Sequence, residues 1–130
     1  MGLGACETHR ITLPHVEMGA FSAGLDDFLR RHPLAGDQGI RADLVERTAQ
    51  ASWHLVQVRG AETPHVHPDH DLQVVVLRGQ GELHLAERTV TLQRGDVALV
   101  ARGVEHWFAN RGDAPAVALV TYVPPAPLSR

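Results

Sequence analysis

From Gly60 onward the chain alternates between short runs rich in Val and Leu and clusters of turn-forming residues. Turn signals such as Gly79-Gln80-Gly81 and Arg94-Gly95-Asp96 recur at intervals of roughly 8 to 16 residues. The runs between them have the length of strands and cover 72–77, 82–85, 89–92, 97–100, 106–109 and 116–123. Many short strands with no helix between them predict an all-β chain folded as an antiparallel sandwich or barrel.

The first 39 residues have a different pattern, which predicts a single helix. Within 18–32, Phe21, Leu25, Phe28 and Leu29 follow helical spacing, and Pro33 ends the run. The segments 40–46 and 51–58 then read as the first strands. We therefore expect one structural domain, with an N-terminal arm and helix in 1–39, a barrel in 40–123 and a proline-rich tail in 124–130.

Composition and charge remove several classes of function. The chain has 130 residues, a size typical of one domain, and its net charge of −3 comes with no basic run for a nucleic acid backbone. No apolar run approaches the ~20 residues of a membrane-spanning helix, and the start lacks the pattern of a signal peptide. We expect a cytoplasmic protein that binds neither nucleic acid nor membrane.

Nine histidines are the unusual feature of the composition, and three of them suggest a metal site. His65 and His67 are two residues apart, so a strand would point both rings to one face, with Cα atoms about 6 to 7 Å apart. His106 begins another predicted strand. Imidazoles from two separate strands suit a first-row transition metal at the inner wall of a small barrel.

The residues around these histidines resemble the two motifs of the cupin superfamily. The first motif is matched by Gly60, His65-Val66-His67 and Gly79, and the second by Gly95, Gly103, His106 and Asn110, with Ala101 in place of a proline. The resemblance covers roughly residues 50 to 123. It implies a double-stranded β-helix, the jelly-roll barrel of cupins, here with one short N-terminal helix.

The chain departs from the motif at the metal-binding glutamate. Counting back from Gly79 puts that position on Leu72, whereas counting on from His67 puts it on Asp71. Three ligand sets therefore stay open: the three histidines with Asp71, the three histidines alone, or the three histidines with His70. Phe108 should share the inner face with His106 and is a candidate pocket residue, and Trp107 should point outward.

The resemblance implies one divalent transition metal ion, Fe, Mn, Ni, Cu or Zn, and a small organic molecule as partner. Small cupins include dioxygenases, isomerases and lyases, so a metal-dependent enzyme is the hypothesis that we favour from the sequence. A barrel that binds or senses a small molecule without turnover is the other, and the missing glutamate favours it. No residue is assigned as catalytic from the sequence. The resemblance also implies a homodimer.

Overall fold

The structure, a computed structural model, describes residues 15–18 and 21–127 of the chain. It contains ten strands and one short helix within these residues. In chain order the elements are β1 (His15–Met18), β2 (Phe21–Gly24), α1 (Leu25–Arg31), β3 (Ile40–Arg47), β4 (Ser52–Val58), β5 (Asp71–Arg78), β6 (Gln80–Leu85), β7 (Arg88–Gln93), β8 (Val97–Val100), β9 (His106–Asn110) and β10 (Ala116–Val123).

Two antiparallel sheets form the body of the molecule. The larger has the order β3-β4-β10-β5-β8 and the smaller the order β7-β6-β9, while β1 and β2 pair as a separate hairpin. Strands distant in sequence are neighbours in both sheets, as in β10 between β4 and β5. This arrangement confirms the predicted all-β double-stranded β-helix with one short helix.

The interior lies between the two sheets. Leu72, Val76 and Val120 of the larger sheet form one buried cluster with Leu83 and Leu92 of the smaller sheet. The same strands also bury part of their other face, so β5 is apolar at four successive positions, from Val74 to Leu77, and does not alternate between polar and apolar residues there.

Helix α1 covers the outer face of the larger sheet. Leu25 and Phe28 are buried there in a second cluster with Leu55, Leu77 and Val117. At the helix surface, the side chains of Asp26 and Arg78 form an ion pair that links the helix to β5. The helix therefore packs outside the barrel and takes no part in lining its interior.

The helix is shorter than the sequence pattern predicts. The predicted range, 18–32, was wrong at its start, because Met18 belongs to β1 and β2 occupies Phe21–Gly24 before the helix begins at Leu25. Gly24 is extended at the helix N-cap, with a ψ of 145°. Glycine is a poor residue for a helix interior, so the helix does not extend toward the N-terminus across Gly24.

Glycines shape the turns next to the strands that carry the candidate site. Gly79, Gly95 and Gly103 have φ values of 84°, 92° and 84°, a backbone conformation that other residues adopt only at a cost. Gly103 also donates its N–H to the carbonyl of His67 over 3.0 Å, which ties the second motif to the first. Among the described residues, no helix has the length and apolar character needed to cross a membrane.

Candidate metal centre

His65, His67 and His106 come together at one end of the barrel interior. The ring centroids are 4.4 Å apart for His65 and His106, 5.0 Å for His65 and His67, and 5.2 Å for His67 and His106. One ring nitrogen from each lies within 4.8 Å of the other two. Nitrogens bound to one ion at about 2.0 Å are themselves about 3 to 4 Å apart, so a small inward movement of the rings suffices to hold a metal.

The backbone fixes two of these histidines against each other. His65 and His106 form an isolated antiparallel bridge, with N–H to carbonyl distances of 3.0 and 2.9 Å. His106 is the first residue of β9 and is 4% exposed. The loop before β5 is therefore attached to the smaller sheet at the position where the histidines meet.

Hydrogen bonds to carbonyl groups orient two of the rings. Nδ1 of His65 lies 2.7 Å from the carbonyl of Thr63, and Nδ1 of His106 lies 3.0 Å from the carbonyl of Val104. A carbonyl only accepts, so each Nδ1 carries a proton and donates it, which leaves Nε2 of both rings as the nitrogen that can bind a metal. Metal-binding histidines are commonly held in this way.

Burial and crowding keep two of the rings uncharged. The pKa of His67 is lowered to about 4, mainly because burial disfavours the charged ring and then because His65, His106 and His70 are close. The pKa of His106 is also lowered, again mainly by burial. Neutral imidazole is the form that binds metal, so both rings are ready to bind at neutral pH.

A cavity of about 350 Å³ extends from the histidines between the two sheets. Its wall includes all three histidines, and Phe108 lines it from β9. Trp107 instead stacks on His84, with centroids 3.7 Å apart and planes 5° from parallel. The volume is near the lower end of the range for small-molecule sites, roughly 300 to 1,000 Å³.

Asp71 and His70, the two proposed additional ligands, make other contacts. The carboxylate of Asp71 accepts hydrogen bonds from the backbone N–H, Nε and Nη2 of Arg102, at 2.9, 3.3 and 3.2 Å. These bonds lower the pKa of Asp71. Nδ1 of His70 donates to the carbonyl of Pro124 over 2.8 Å. Neither residue belongs to the group of converging donors found among the described residues.

Comparison with known proteins places this arrangement in a family. The family model for the cupin domain matches residues 52–122, which include all three histidines. The chain belongs to the cupin family.

This cupin is similar to several known proteins. It is 36% identical over 69 residues to an uncharacterized protein of Aquifex aeolicus, a match that covers 53% of the chain and 57% of that protein, so it spans little more than half of the relative's length. The TT1209 protein of Thermus thermophilus superposes with a TM-score of 0.64 at 25% identity, covering 75% of this chain and 95% of that one. A Streptomyces PAC13 structure with uridine has a TM-score of 0.60 at 18% identity, covering 68% and 72%, which shows the shared fold.

Glu62 lines the cavity and is a residue that the sequence motifs do not single out. Its Oε1 accepts the N–H of Phe108 over 2.9 Å, and its own N–H donates to the carbonyl of Phe108 over 2.8 Å. Glu62 lies in the spacer of the first cupin motif, where no residue type is specified, so the spacing gave no signal for it.

Tyr122 is a second polar residue of the cavity wall that the sequence motifs do not single out. Its ring makes edge contacts with those of His54, His67 and His70, at centroid distances of 4.9, 5.3 and 5.5 Å. Burial raises the pKa of the phenol, and Glu62 adds to that effect, so the hydroxyl stays protonated at neutral pH. Strand alternation from Val120, which also lines the cavity, is the signal that identifies this position.

Proposed function

We propose that this cupin is a metal-dependent enzyme that acts on a small organic molecule. His65, His67 and His106 hold one divalent transition metal ion, and the substrate occupies the adjoining cavity. The observation that carries the proposal is the convergence of three imidazoles at one end of a largely apolar cavity. The bound ion would supply a Lewis acid or, as iron, a centre for oxygen chemistry, consistent with dioxygenase, isomerase or lyase reactions.

The chain's own residues supply the rest of the site. Glu62 presents its carboxylate to the cavity, where it accepts a hydrogen bond from a substrate donor and can receive its proton. The hydroxyl of Tyr122 is placed to donate a hydrogen bond to a substrate oxygen. The apolar walls, among them Phe108, exclude water from the bound molecule.

The ligand set we propose is the three histidines without Asp71. Arg102 already satisfies the carboxylate of Asp71 by three hydrogen bonds, and moving it to the metal would break all of them. His70 donates from Nδ1 to the carbonyl of Pro124, a bond that leaves its Nε2 free, but its ring nitrogens are not among those that converge with the other three histidines. The carboxylate of Asp71 thus has a structural partner of its own, and His70 lies outside the group of converging rings.

Elemental analysis of untagged protein by mass spectrometry tests the metal site. We expect near-stoichiometric Fe, Mn, Ni, Cu or Zn in the native chain and its loss in His67→Ala and His106→Ala. Asp71→Asn should retain the metal. His84→Ala is the control and should also retain it, because the ring of His84 stacks on Trp107 and does not line the cavity. Native protein that takes up no metal even on reconstitution would refute the site. Loss of metal in Asp71→Asn would instead support the ligand set that includes Asp71.

A cupin that binds or senses its ligand without turnover is the second candidate function. Leu72 at the usual glutamate position favours it, because a site of three neutral ligands gives the ion a different charge and reactivity. Saturable ligand binding by metal-loaded protein, with no consumption of ligand or oxygen, would establish this alternative. A homodimer and a cytoplasmic location stay predictions, the first of which light scattering in solution can test.

A further inference from the structure

The cavity has a polar end and an apolar end. β10 runs along its wall from Ala116 to Tyr122, and across the strand pairs Tyr122 faces Leu72 while Ala116 faces Val58. The histidines are at the Tyr122 end, since the rings of His67 and Tyr122 are in contact. Beyond them the wall consists of aliphatic side chains and reaches the half-exposed Ile40, the partner of Val58.

The wall offers few groups for recognising polar substituents. Apart from the three histidines, the polar side chains among its described residues are Glu62, Thr63 and Tyr122. A ligand with hydroxyl groups along its whole length would lose their bonds to water at the apolar end and gain none in return, which is costly.

The wall also lacks fixed positive charge. All twelve basic side chains of the chain are arginines, and none of those that the structure describes lines the cavity. Glu62 contributes the one carboxylate of the described wall. A ligand with two or more anionic groups would therefore find no partner for the second, because the metal ion can accommodate only a head group at its own end.

We infer that the ligand is a compact, largely apolar molecule with one short oxygen-bearing head group, which binds at the histidine end while an apolar body fills the space toward Ala116 and Val58. Polyhydroxylated sugars, nucleotides and polyanions are excluded. The inference rests on the proposed function for its metal-bound head group, but the apolar body is a property of the wall alone.

Two hydroxamic acids provide a matched pair of probes. Acetohydroxamic and benzohydroxamic acid share the metal-binding head group and differ in the apolar body. Calorimetric titration of zinc-loaded protein should give an affinity on the order of tenfold higher for benzohydroxamic acid, because its ring leaves water for an apolar wall. Equal affinities, or saturable binding of glucuronate as tight as that of benzohydroxamic acid, would overturn the inference.

Two neighbouring valines on β5 allow the effect of the cavity wall to be tested separately from the effect on fold stability. Val74 lines the cavity, whereas Val75 packs on the outer side with the cluster under α1. Val74→Thr places a hydroxyl on the wall at nearly constant size and should reduce the preference for benzohydroxamic acid several-fold. Val75→Thr should leave the preference unchanged. If neither variant loses the preference, or if both lose it equally, the assignment of Val74 and not Val75 to the cavity wall is wrong.

The same titrations on metal-free protein distinguish the two proposals. The affinities should be lower without the head-group contact, but the preference for benzohydroxamic acid and its sensitivity to Val74→Thr should remain. Protein that holds no zinc yet retains this preference would refute the metal site and support the apolar cavity. Protein that holds zinc but shows no preference for benzohydroxamic acid would support the metal site and refute the apolar ligand body.

Discussion

At the scale of single residues, Gly81 shows how closely neighbouring groups of the smaller sheet approach. Gly81 lies in β6 beside Asn110 of β9, and a Cβ atom there would overlap the carbonyl oxygen of Ala109 and the ring of Phe108. The carbonyl belongs to the backbone of a paired strand and cannot turn aside. The position therefore admits only glycine without a local shift of the sheet.

Gly81→Ala should lower the free energy of unfolding by about 1 to 3 kcal/mol, because overpacking forces neighbouring groups apart. It should also push Phe108 into the cavity and weaken the binding of benzohydroxamic acid. Chemical denaturation measures the first effect and titration the second. Gly36→Ala is the control, since no atom lies within 4 Å of the Cβ it introduces; equal stability of the two variants would contradict the packing argument.

His67 should make the metal-free protein sensitive to mild acid. Its pKa is about 4 in the fold and 6.5 for a free side chain, so the unfolded chain binds more protons between these values. Stability should therefore fall as the pH is lowered from 6.5 to 4, with no further contribution from this group below pH 4. In urea denaturation, His67→Gln should lose less stability than the native chain across this window. Parallel curves would show that the ring is not buried as described.

The histidine cluster could be predicted from sequence, but its surroundings could not. Motif spacing is enough to predict that His65, His67 and His106 come together. Only His106 lies in a strand, however; His65 and His67 belong to the loop before β5, which the bridge between His65 and His106 holds in place of the predicted strand. The partner of Asp71 depends on the conformation of the loop that holds Arg102, and local pattern carries no record of it. Glu62 was missed for the same reason, since its contact with Phe108 joins residues 46 positions apart.

At the scale of elements, the strands were easier to predict than the helix. The predicted ranges 97–100 and 116–123 match β8 and β10, and the other predicted strands of the two sheets differ by one or two residues at one or both ends. Turn residues on both sides delimit each of these strands. The N-terminal stripe had no such limits, and its helical spacing extended into the β1 and β2 hairpin.

Phe28 should be the main contribution of α1 to stability. It is 2% exposed in the cluster between the helix and the larger sheet, so Phe28→Ala should cost about 3 to 5 kcal/mol of unfolding free energy. Metal content and probe affinity should persist in the folded fraction, because this cluster lies outside the barrel interior. Arg30→Ala, which removes an exposed ion pair with Asp27, should stay close to the native value. An unfolding free energy for Phe28→Ala equal to that of the native chain would show that the helix does not contribute to the core.

At the scale of the whole molecule, each of the two sheets provides a different part of the cavity. The larger sheet provides most of the apolar wall, while the smaller sheet and the bridge to His65 bring His106 and Phe108 against it. The fold follows from the spacing of strands and turns and was predictable. The kind of ligand depends on which side chains meet across the interior. Those contacts follow from the pairing of strands, which the sequence pattern does not specify.

The two tryptophans of the chain lie in different sheets, one in each. Trp53 is in β4 beside the cluster under α1, and Trp107 is in β9, stacked on His84. Single-tryptophan variants, Trp53→Phe and Trp107→Phe, thus make the fluorescence of each sheet separately observable during denaturation. Coincident midpoints would show that the sheets melt as one cooperative unit. An earlier transition at Trp107 would show that the smaller sheet opens first, which would give a ligand its way into the cavity.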